Sequence, residues 1–393
     1  MDLPFASGRE ATHAPSPAQE FGVELARLRV LKGWSVRGLA ERTAISEGHI
    51  CNLQSGRRNP TAAIAAACDA ALSAGGALEA LADKARQGRS THIDADVLVS
   101  GYTRMFDEFR ALGRTLGPSM PAAPMRSIAG LLTDAAPRVG HARRREVWLI
   151  AARYAEYLGW MAQEAERPAD SLRWTDVAVR WAALGDDDSM AAYALVRRAS
   201  IAQHRGDRSA VVDHARRAAD HPAATPRILV HAARREAQGH AVLGDYDSYR
   251  RALDRMQTHR AEAAASPSGL RWGPRIENGT PRVIEASCLV DLGRFSHAAG
   301  IFAAELRRAP VATADANSRA RFAVRYATAQ AGMGDQEGAC RTIAEALPVI
   351  KSADSATIRA ELRRFLGAAD RTPAVSRQHK VLIAVRAVAY RAA

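Results

Sequence analysis

The sequence predicts an all-α protein in which a small helical head precedes a longer helical body. Two observations carry this prediction. Apolar residues recur at three- and four-residue spacing along most of the 393-residue chain, which is the period of an amphipathic helix. Turns, most of them containing Gly, also divide the second half of the chain at nearly regular intervals, as they do in proteins built of stacked helix pairs.

Composition is typical of a globular protein with two or three domains, since 47% of the residues are hydrophobic and 25% are charged. No apolar run approaches the roughly 20 residues that span a bilayer, and the first residues lack the pattern of a signal peptide. The four cysteines are scattered without the spacing of a metal site. We therefore expect a cytoplasmic protein that uses no metal and no other cofactor.

The net charge of +13 favours an acidic partner, with nucleic acid as the first candidate. Its distribution is uneven, because residues 1–90 carry 11 basic and 9 acidic side chains, a net of only +2. Bulk charge therefore does not identify a DNA-binding part of this chain. Local sequence pattern has to do so.

The stretch 46–56 has the pattern of the second helix of a helix-turn-helix, the helix that enters the major groove of DNA. Ser46 stands where a side chain caps the first turn, and Gly56 allows the left-handed residue that ends a helix. Ile50 and Leu53 lie three positions apart and are predicted to face inward. The outer face then carries Glu47, Gly48, His49 and Asn52.

The stretch just upstream, 35–43, has the pattern of the first helix of the pair, with Ser35 as its cap. Residues 19–85 as a whole resemble the Cro/repressor-type (XRE-family) domain. The matching positions are Leu39-Ala40, Ile45-Ser46, Ile50, Leu53, Gly56-Arg57-Arg58 and Asn59-Pro60. This resemblance implies a five-helix, lambda-repressor-like fold that binds double-stranded DNA.

Two positions depart from that family. Val36 stands where the family often has Gln, and Gln54 stands where it usually has Glu. In the family the Glu typically pairs with an Arg of the first helix, here Arg29. The resemblance therefore implies a neutral hydrogen bond between Gln54 and Arg29.

The position of each side chain on the helix pair predicts its role on DNA. The first residues of the inserted helix reach base edges, so the predicted base contacts are Glu47, Gly48, His49 and Asn52. The predicted phosphate contacts are Arg37, Ser46, Arg57 and Arg58. A cap and a glycine exit alone would also fit an ordinary Ala-rich three-helix segment. The coincidence of cap, turn, core spacing and basic exit favours DNA binding.

Composition shifts divide the rest of the chain. We predict a flexible arm at 1–15, the helix-turn-helix domain at 16–85, a linker with connecting helices at 86–142, and a repeat domain at 143–393. The repeat domain has turns at intervals of 40, 38, 49 and 41 residues. These turns are Glu166-Arg167, Gly206-Asp207, Gly244-Asp245, Gly293-Arg294 and Gly334-Asp335. The series resembles tetratricopeptide repeats, although that family has a period of about 34 residues, and it implies a stacked α-solenoid.

The first helix of each repeat is predicted to line an inner groove. The side chains placed there are Arg153, Trp160, Gln163, Tyr193, Arg197, Gln203, His231, Arg234, Gln238, Arg321 and Arg325. Aromatic, amide and arginine groups on one concave surface suit a peptide or a small anionic ligand. The alternative is that the aromatic residues only pack and the groove only dimerises. The consecutive arginines along these helices, such as Arg234-Arg235, are more typical of solvated helix faces.

No motif of a known catalytic or phosphate-binding site occurs in the chain, so the sequence does not predict an enzyme. We interpret it as a sequence-specific transcriptional regulator that acts as a homodimer on a pseudo-palindromic operator. Its repeat domain would sense a ligand, dimerise, or both. The alternative is a repeat-built protein-interaction scaffold with an accessory DNA-binding head.

Overall fold

The computed structural model describes residues 17–90, 95–117, 119–265, 272–274, 280–308, 316–370 and 380–391. Within these ranges the regular structure is helical and contains no strand, which confirms the all-α fold class. The chain divides into two compact units, 1–94 and 95–393, called here the head and the body. The arm predicted at 1–15 lies outside the described residues.

The described part of the head forms the five helices that the sequence predicts. They are α1 (Pro17–Leu31), α2 (Val36–Thr43), α3 (Glu47–Gln54), α4 (Ala62–Leu72) and α5 (Ala77–Ser90). Each helix contributes to one apolar core, in which Phe21, Leu39 and Leu53 are fully buried. Burial of these side chains supplies the stability that such short helices lack in isolation.

A close contact between α1 and α3 fixes the position of the third helix. Gly22 on α1 faces the backbone carbonyl groups of Leu53 and Gln54, and a Cβ atom at position 22 would collide with both. Gly56, with a φ of +67°, lies against the side chain of Gln19. Because backbone rather than a flexible side chain occupies this space, only glycine fits at position 22.

The start of α5 is capped by a residue of the preceding helix that sequence reasoning did not single out. The carboxylate of Asp69, buried within α4, accepts hydrogen bonds from the backbone N–H groups of Gly76 at 2.8 Å and Leu78 at 2.9 Å. These N–H groups belong to the first turn of α5, where no intrahelical acceptor exists. The positive end of the helix dipole also favours the carboxylate there.

In the body, the described residues form fourteen longer helices. They are α6 (Ala95–Leu116), α7 (Ser119–Ala135), α8 (His141–Glu164), α9 (Pro168–Leu184), α10 (Ser189–Arg205), α11 (Arg208–Ala219), α12 (Pro226–Leu243), α13 (Tyr246–Ala265), α14 (Thr280–Asp291), α15 (Phe295–Glu305), α16 (Ala316–Gly332), α17 (Gln336–Ser352), α18 (Ala356–Ala369) and α19 (Lys380–Ala389). None of the helices in the described ranges combines the length and apolar character that crossing a membrane requires.

Five helix pairs of the body turn where the sequence predicts, from α8/α9 to α16/α17. Three of the turns contain a Gly-Asp pair, in which the two residues have different structural roles. The glycine takes a left-handed conformation, with φ of +77° at Gly206 and +90° at Gly334, and so ends the first helix. The aspartate then caps the next helix, as Asp335 does by accepting from Gly338 N–H at 2.9 Å. The pairs stack as an α-solenoid, whereas the likeness to tetratricopeptide repeats stays a prediction.

The segment predicted as linker and connecting helices contains the end of α5 together with α6 and α7. Both α6 and α7 pack against α8 within the body. Tyr154 of α8 donates a hydrogen bond to the backbone carbonyl of Tyr102 at 2.8 Å, and Phe106 packs edge-on against the Tyr154 ring. Helices α6 and α7 thus cover one side of α8, the first helix of the first pair. The domain boundaries at 85 and 142 stay predictions.

The body closes on itself through contacts between its first pair and a late helix. At the end of α8, the Glu164 carboxylate accepts hydrogen bonds from Ser355 and Thr357, both at 2.6 Å, although Ser355 lies 191 positions away in sequence. Beside them, Arg359 forms an ion pair with Glu166 at 3.2 Å. We call this set the clasp. The solenoid is therefore not an open row of pairs.

Replacing Gly22 with Ala tests the close approach of α1 and α3. We expect a loss of about 1–3 kcal/mol in the free energy of unfolding of the head, because the added methyl group meets backbone that cannot rotate away. Gly48→Ala is the matched control, since nothing lies within 4 Å of a Cβ there and alanine favours a helix. The measurement is urea unfolding of both full-length variants. Equal stability of the two would contradict the contact.

Candidate functional site

The geometry of a helix-turn-helix is set in the head by α2, a tight turn and α3. Ser35 caps α2 through its hydroxyl, which accepts from Gly38 N–H at 3.0 Å, as predicted. Ala44 ends α2 in a left-handed conformation with a φ of 55°. The turn brings α3 across the pair, where Ile50 and Leu53 are completely buried. These two residues fix which face of α3 remains outside.

The outer face of α3 carries the predicted base contacts. Glu47, Gly48 and Asn52 are exposed, whereas His49 is half-buried and its Nε2 atom has no hydrogen-bond partner among the described residues. An exposed amide and carboxylate on one helix can bond base edges in the major groove. Cys51 lies on the exposed side of the same helix as a free thiol.

The predicted capping role of Ser46 is wrong. Ser46 occupies the N-cap position of α3, but its hydroxyl accepts no hydrogen bond from the helix. Instead its backbone carbonyl accepts from the N–H groups of His49 and Ile50, both at 3.0 Å, and thereby starts the helix. Because the hydroxyl is exposed and not used by the fold, it remains available for a phosphate oxygen.

The hydrogen bond that the resemblance implied between Arg29 and Gln54 is not formed. The Arg29 guanidinium donates to the backbone carbonyl of Trp34 at 2.6 Å, and neither Arg29 Nε nor Gln54 Nε2 has a partner among the described residues. A neutral amide attracts a guanidinium less than a carboxylate does, so Arg29 bonds the nearby Trp34 carbonyl instead of Gln54. In this chain the carbonyl contacts at Gly22, rather than an ion pair, hold α3 against α1.

The predicted phosphate contacts are all exposed. Arg57 and Arg58 follow α3, have their backbone N–H groups bonded to the Asn52 carbonyl, and form no ion pair with a described residue. Arg37 forms an exposed ion pair with Glu41 at 3.1 Å, which water and salt weaken. The guanidinium groups of Arg57 and Arg58 thus stand next to the outer face of α3 without an internal partner.

Comparison with protein families agrees with this geometry. Residues 20–82 match the model of a helix-turn-helix domain. The head is a helix-turn-helix DNA-binding domain. No curated protein and no solved structure matches the chain. The head supports the role of a DNA-binding regulator, and the match does not extend into the body.

The predicted groove residues in the body fall into two groups. Several are held by partners within the fold. Arg325 is buried between Asp291 at 2.9 Å and Glu361 at 2.8 Å, and these carboxylates raise its pKa although burial opposes the charge. Gln163 lies 3.3 Å from His204, and Arg321 lies over the ring of Phe322. Arg325 therefore holds α14, α16 and α18 together instead of offering a free guanidinium.

Aromatic groove residues are also engaged with neighbours. Trp160 is half-buried and stacks on Tyr157, with ring centroids 5.0 Å apart. The Arg153 guanidinium lies 4.4 Å from the centroid of the Phe106 ring. Tyr193 is buried and meets His231 edge-on. Packing accounts for these rings, as the alternative interpretation of the groove proposed.

A second group of groove residues meets deep in the body. Arg197 of α10 and Arg234 of α12 are both close enough to act electrostatically on Arg235 of α12, and His231 lies beside Arg234 and Arg235. The adjacent carboxylate is Glu156 of α8, whose pKa is raised by burial against the opposing influence of Arg197. We call these five residues the arginine cluster. Arg197 and His231 are buried, and the assignment of these residues to a ligand groove stays a prediction.

Arg235 is the member that sequence reasoning missed. It was attributed to a solvated face, but its guanidinium lies inside the body and donates to Gln203 Oε1 at 2.7 Å and Gln238 Oε1 at 3.0 Å. Helix α12 packs against α10, α11, α13 and α14, so both residues of a consecutive pair can be enclosed. Nothing in the local sequence distinguishes this pair from a solvated one.

Replacing Arg325 with Met tests its structural role. We expect a loss of about 3 kcal/mol in unfolding free energy, at the lower end of the cost of breaking a buried ion pair, because the half-exposed Arg364 also reaches both carboxylates. Arg180→Met is the control, since Arg180 is exposed and forms no ion pair with the described residues. The measurement is urea unfolding, and a neutral effect at Arg325 would contradict the assignment.

Proposed function

We propose that this protein is a sequence-specific transcriptional regulator of the cytoplasm, and not an enzyme. The observation that carries the proposal is the exposed polar face of α3 in a helix-turn-helix head. Polar side chains at that position in the major groove read base edges, while basic residues at the helix exit hold the phosphates. Binding to double-stranded DNA is the property on which the other parts of the proposal depend.

We assign the base contacts to Glu47, Gly48, His49 and Asn52 and the phosphate contacts to Arg37, Ser46, Arg57 and Arg58. Asn52 suits adenine, because its amide N–H can donate to N7 while its carbonyl oxygen accepts from the N6 amino group, and Glu47 can accept from cytosine N4. The unused hydroxyl of Ser46 and the unpaired guanidinium groups of Arg57 and Arg58 support their assignment. His49 is half-buried, so its contribution is the smallest of the four.

The body would make DNA binding by the regulator depend on an effector. A peptide or small anionic effector bound inside it would change the affinity of the protein for its operator, and dimerisation is the second role assigned to it. The arginine cluster supports an anionic effector, whereas the engaged aromatic rings favour a role in packing. A scaffold with an accessory DNA-binding head is the competing function, and it predicts DNA binding without a specific site.

Substitutions on the two faces of the head should affect DNA binding differently. We expect Asn52→Ala to weaken binding to the specific operator by about 1–3 kcal/mol and to change binding to random DNA little. Arg57→Ala should weaken binding to both DNAs and reduce the dependence on salt concentration, because a phosphate contact releases a counterion. The measurement is fluorescence anisotropy at several salt concentrations. Equal losses on both DNAs for Asn52→Ala would refute its assignment to a base.

A homodimer is expected on the operator, since one helix-turn-helix contacts only a half-site. The two half-sites of a pseudo-palindrome should be centred about one helical turn of DNA apart, roughly 34–36 Å. Sedimentation of the full chain at micromolar concentration, with footprinting on the operator, measures both properties. A monomer in solution together with a single protected half-site would refute the dimer, and DNA lacking one half-site serves as the control.

A further inference from the structure

The arginine cluster carries more positive charge than the described carboxylates around it compensate. Arg234 and Arg235 form no ion pair with a described residue, and the charges that act most strongly on Arg235 are those of Arg234 and Arg197. Their hydrogen-bond partners are neutral, since Arg235 bonds two glutamine amides and Arg197 reaches Ser171 Oγ at 3.5 Å. The one acidic member of the cluster is Glu156.

Arg234 and Arg235 remain charged at neutral pH. Burial and the neighbouring cations lower the pKa of Arg235 to about 9 and that of Arg234 to about 10, which is still above neutrality. Burial, with help from Arg227 and Arg234, lowers the pKa of His231 well below its usual value, so this ring is neutral. The protein therefore encloses like charges near one another, an arrangement that costs free energy unless an anion joins them.

Unused polar atoms lie within the same cluster. The Nε atoms of Arg197 and Arg234 and the Nε2 atom of His231 are buried and lack a hydrogen-bond partner in the described part of the chain. Arg234 and Arg235 nevertheless keep part of their surface accessible to solvent. The fold therefore leaves buried nitrogen atoms unsatisfied next to arginines that solvent partly reaches, and such atoms call for a partner such as a water molecule or an ion.

Other buried arginines in the body show what a purely structural one looks like here. Arg325 has two carboxylates within 2.9 Å, and Arg359 has Glu166 and Asp354 within 3.3 Å. Both of these structural arginines are therefore paired with acidic side chains. Arg234 and Arg235 differ from Arg325 and Arg359, because no described carboxylate forms an ion pair with either of them.

We propose that the arginine cluster binds a small oxyanion carrying at least two negative charges, such as a phosphate group or a polycarboxylate. The guanidinium groups of Arg197, Arg234 and Arg235 would bond its oxygens, and the fork of Arg234 would take two of them. Hydrogen bonds that Arg235 donates to the side-chain oxygens of Gln203 and Gln238 hold it in place before the anion arrives. This proposal rests on the sensing role proposed for the body, and it specifies the chemistry of the effector.

Thermal unfolding at constant ionic strength tests the site. Sodium chloride is compared with inorganic phosphate, pyrophosphate and citrate, which separates phosphate recognition from carboxylate recognition. For the parent protein we expect at least one oxyanion to raise Tm by about 2 °C or more over chloride. Arg234→Met should lose that rise, and its Tm in chloride should equal or exceed that of the parent because an uncompensated charge is gone. Arg180→Met should behave as the parent.

The opposite pattern overturns the proposal. If Arg234→Met lowers Tm in chloride and still gains from the oxyanion, Arg234 is structural and the effect of the anion lies elsewhere. If no oxyanion exceeds chloride, the cluster is not an anion site of this kind. Arg234→Lys keeps the positive charge but lacks the forked guanidinium group. Equilibrium dialysis with radiolabelled phosphate compares the phosphate affinity of this variant with that of the parent protein. Equal affinities would refute bidentate binding.

A DNA-binding titration with and without the active oxyanion separates this proposal from the proposed function. Anion binding that leaves operator affinity unchanged would establish the site and remove its role as a sensor. A failure to bind any specific DNA, with the oxyanion effect on Tm intact, would remove the regulator and leave the anion site standing. The two proposals can therefore fail independently.

Discussion

Close approach of helices is the constraint on which both units depend. Position 22 in the head faces backbone carbonyl groups, and in the body a Cβ atom at Gly239 would come within 2.6 Å of Val212. At Gly332 the neighbour is the Phe295 ring, and alanines such as Ala178 are fully buried in the body. Many short interhelical contacts therefore add to the stability that large buried side chains such as Phe21 and Tyr154 provide. Such packing brings polar groups of different helices within bonding distance.

The body uses that closeness in two ways. Where carboxylates meet arginines, as Glu236 meets Arg216 and Arg255, the charges neutralise each other and join α11, α12 and α13. Where arginines meet one another, the same enclosure raises the free energy of the empty protein, and an anion would relieve it. An anion bound at such a site is attracted by the arginines and also removes their mutual repulsion. We therefore expect a buried cluster of arginines with few carboxylates to bind an anion more tightly than an equal number of surface arginines.

The sequence predicted those features that depend on residues close along the chain. Ile50 and Leu53 of α3 are buried as their spacing indicated, and each Gly-Asp turn lies where a left-handed glycine precedes a cap. It failed where the deciding group is distant. Arg235 and Arg325 both lie on Ala-rich helices, but carboxylates of α14 and α18 reach only the second. Likewise, the hydroxyl of Ser46 matched a cap, and only the local backbone geometry shows that a carbonyl does that work.

The clasp has a consequence for how the body forms. In an open solenoid each pair needs only its neighbours, so folding can begin anywhere and spread. Here Glu164 has to find Ser355 across 191 positions, and a contact of that separation is slow to form because closing so long a loop costs chain entropy. During synthesis the end of α8 emerges long before α18 is made, so the Glu164 carboxylate is solvated and has no partner from α18 until then. The clasp can therefore close only after α18 has been made, when the earlier helix pairs are already complete.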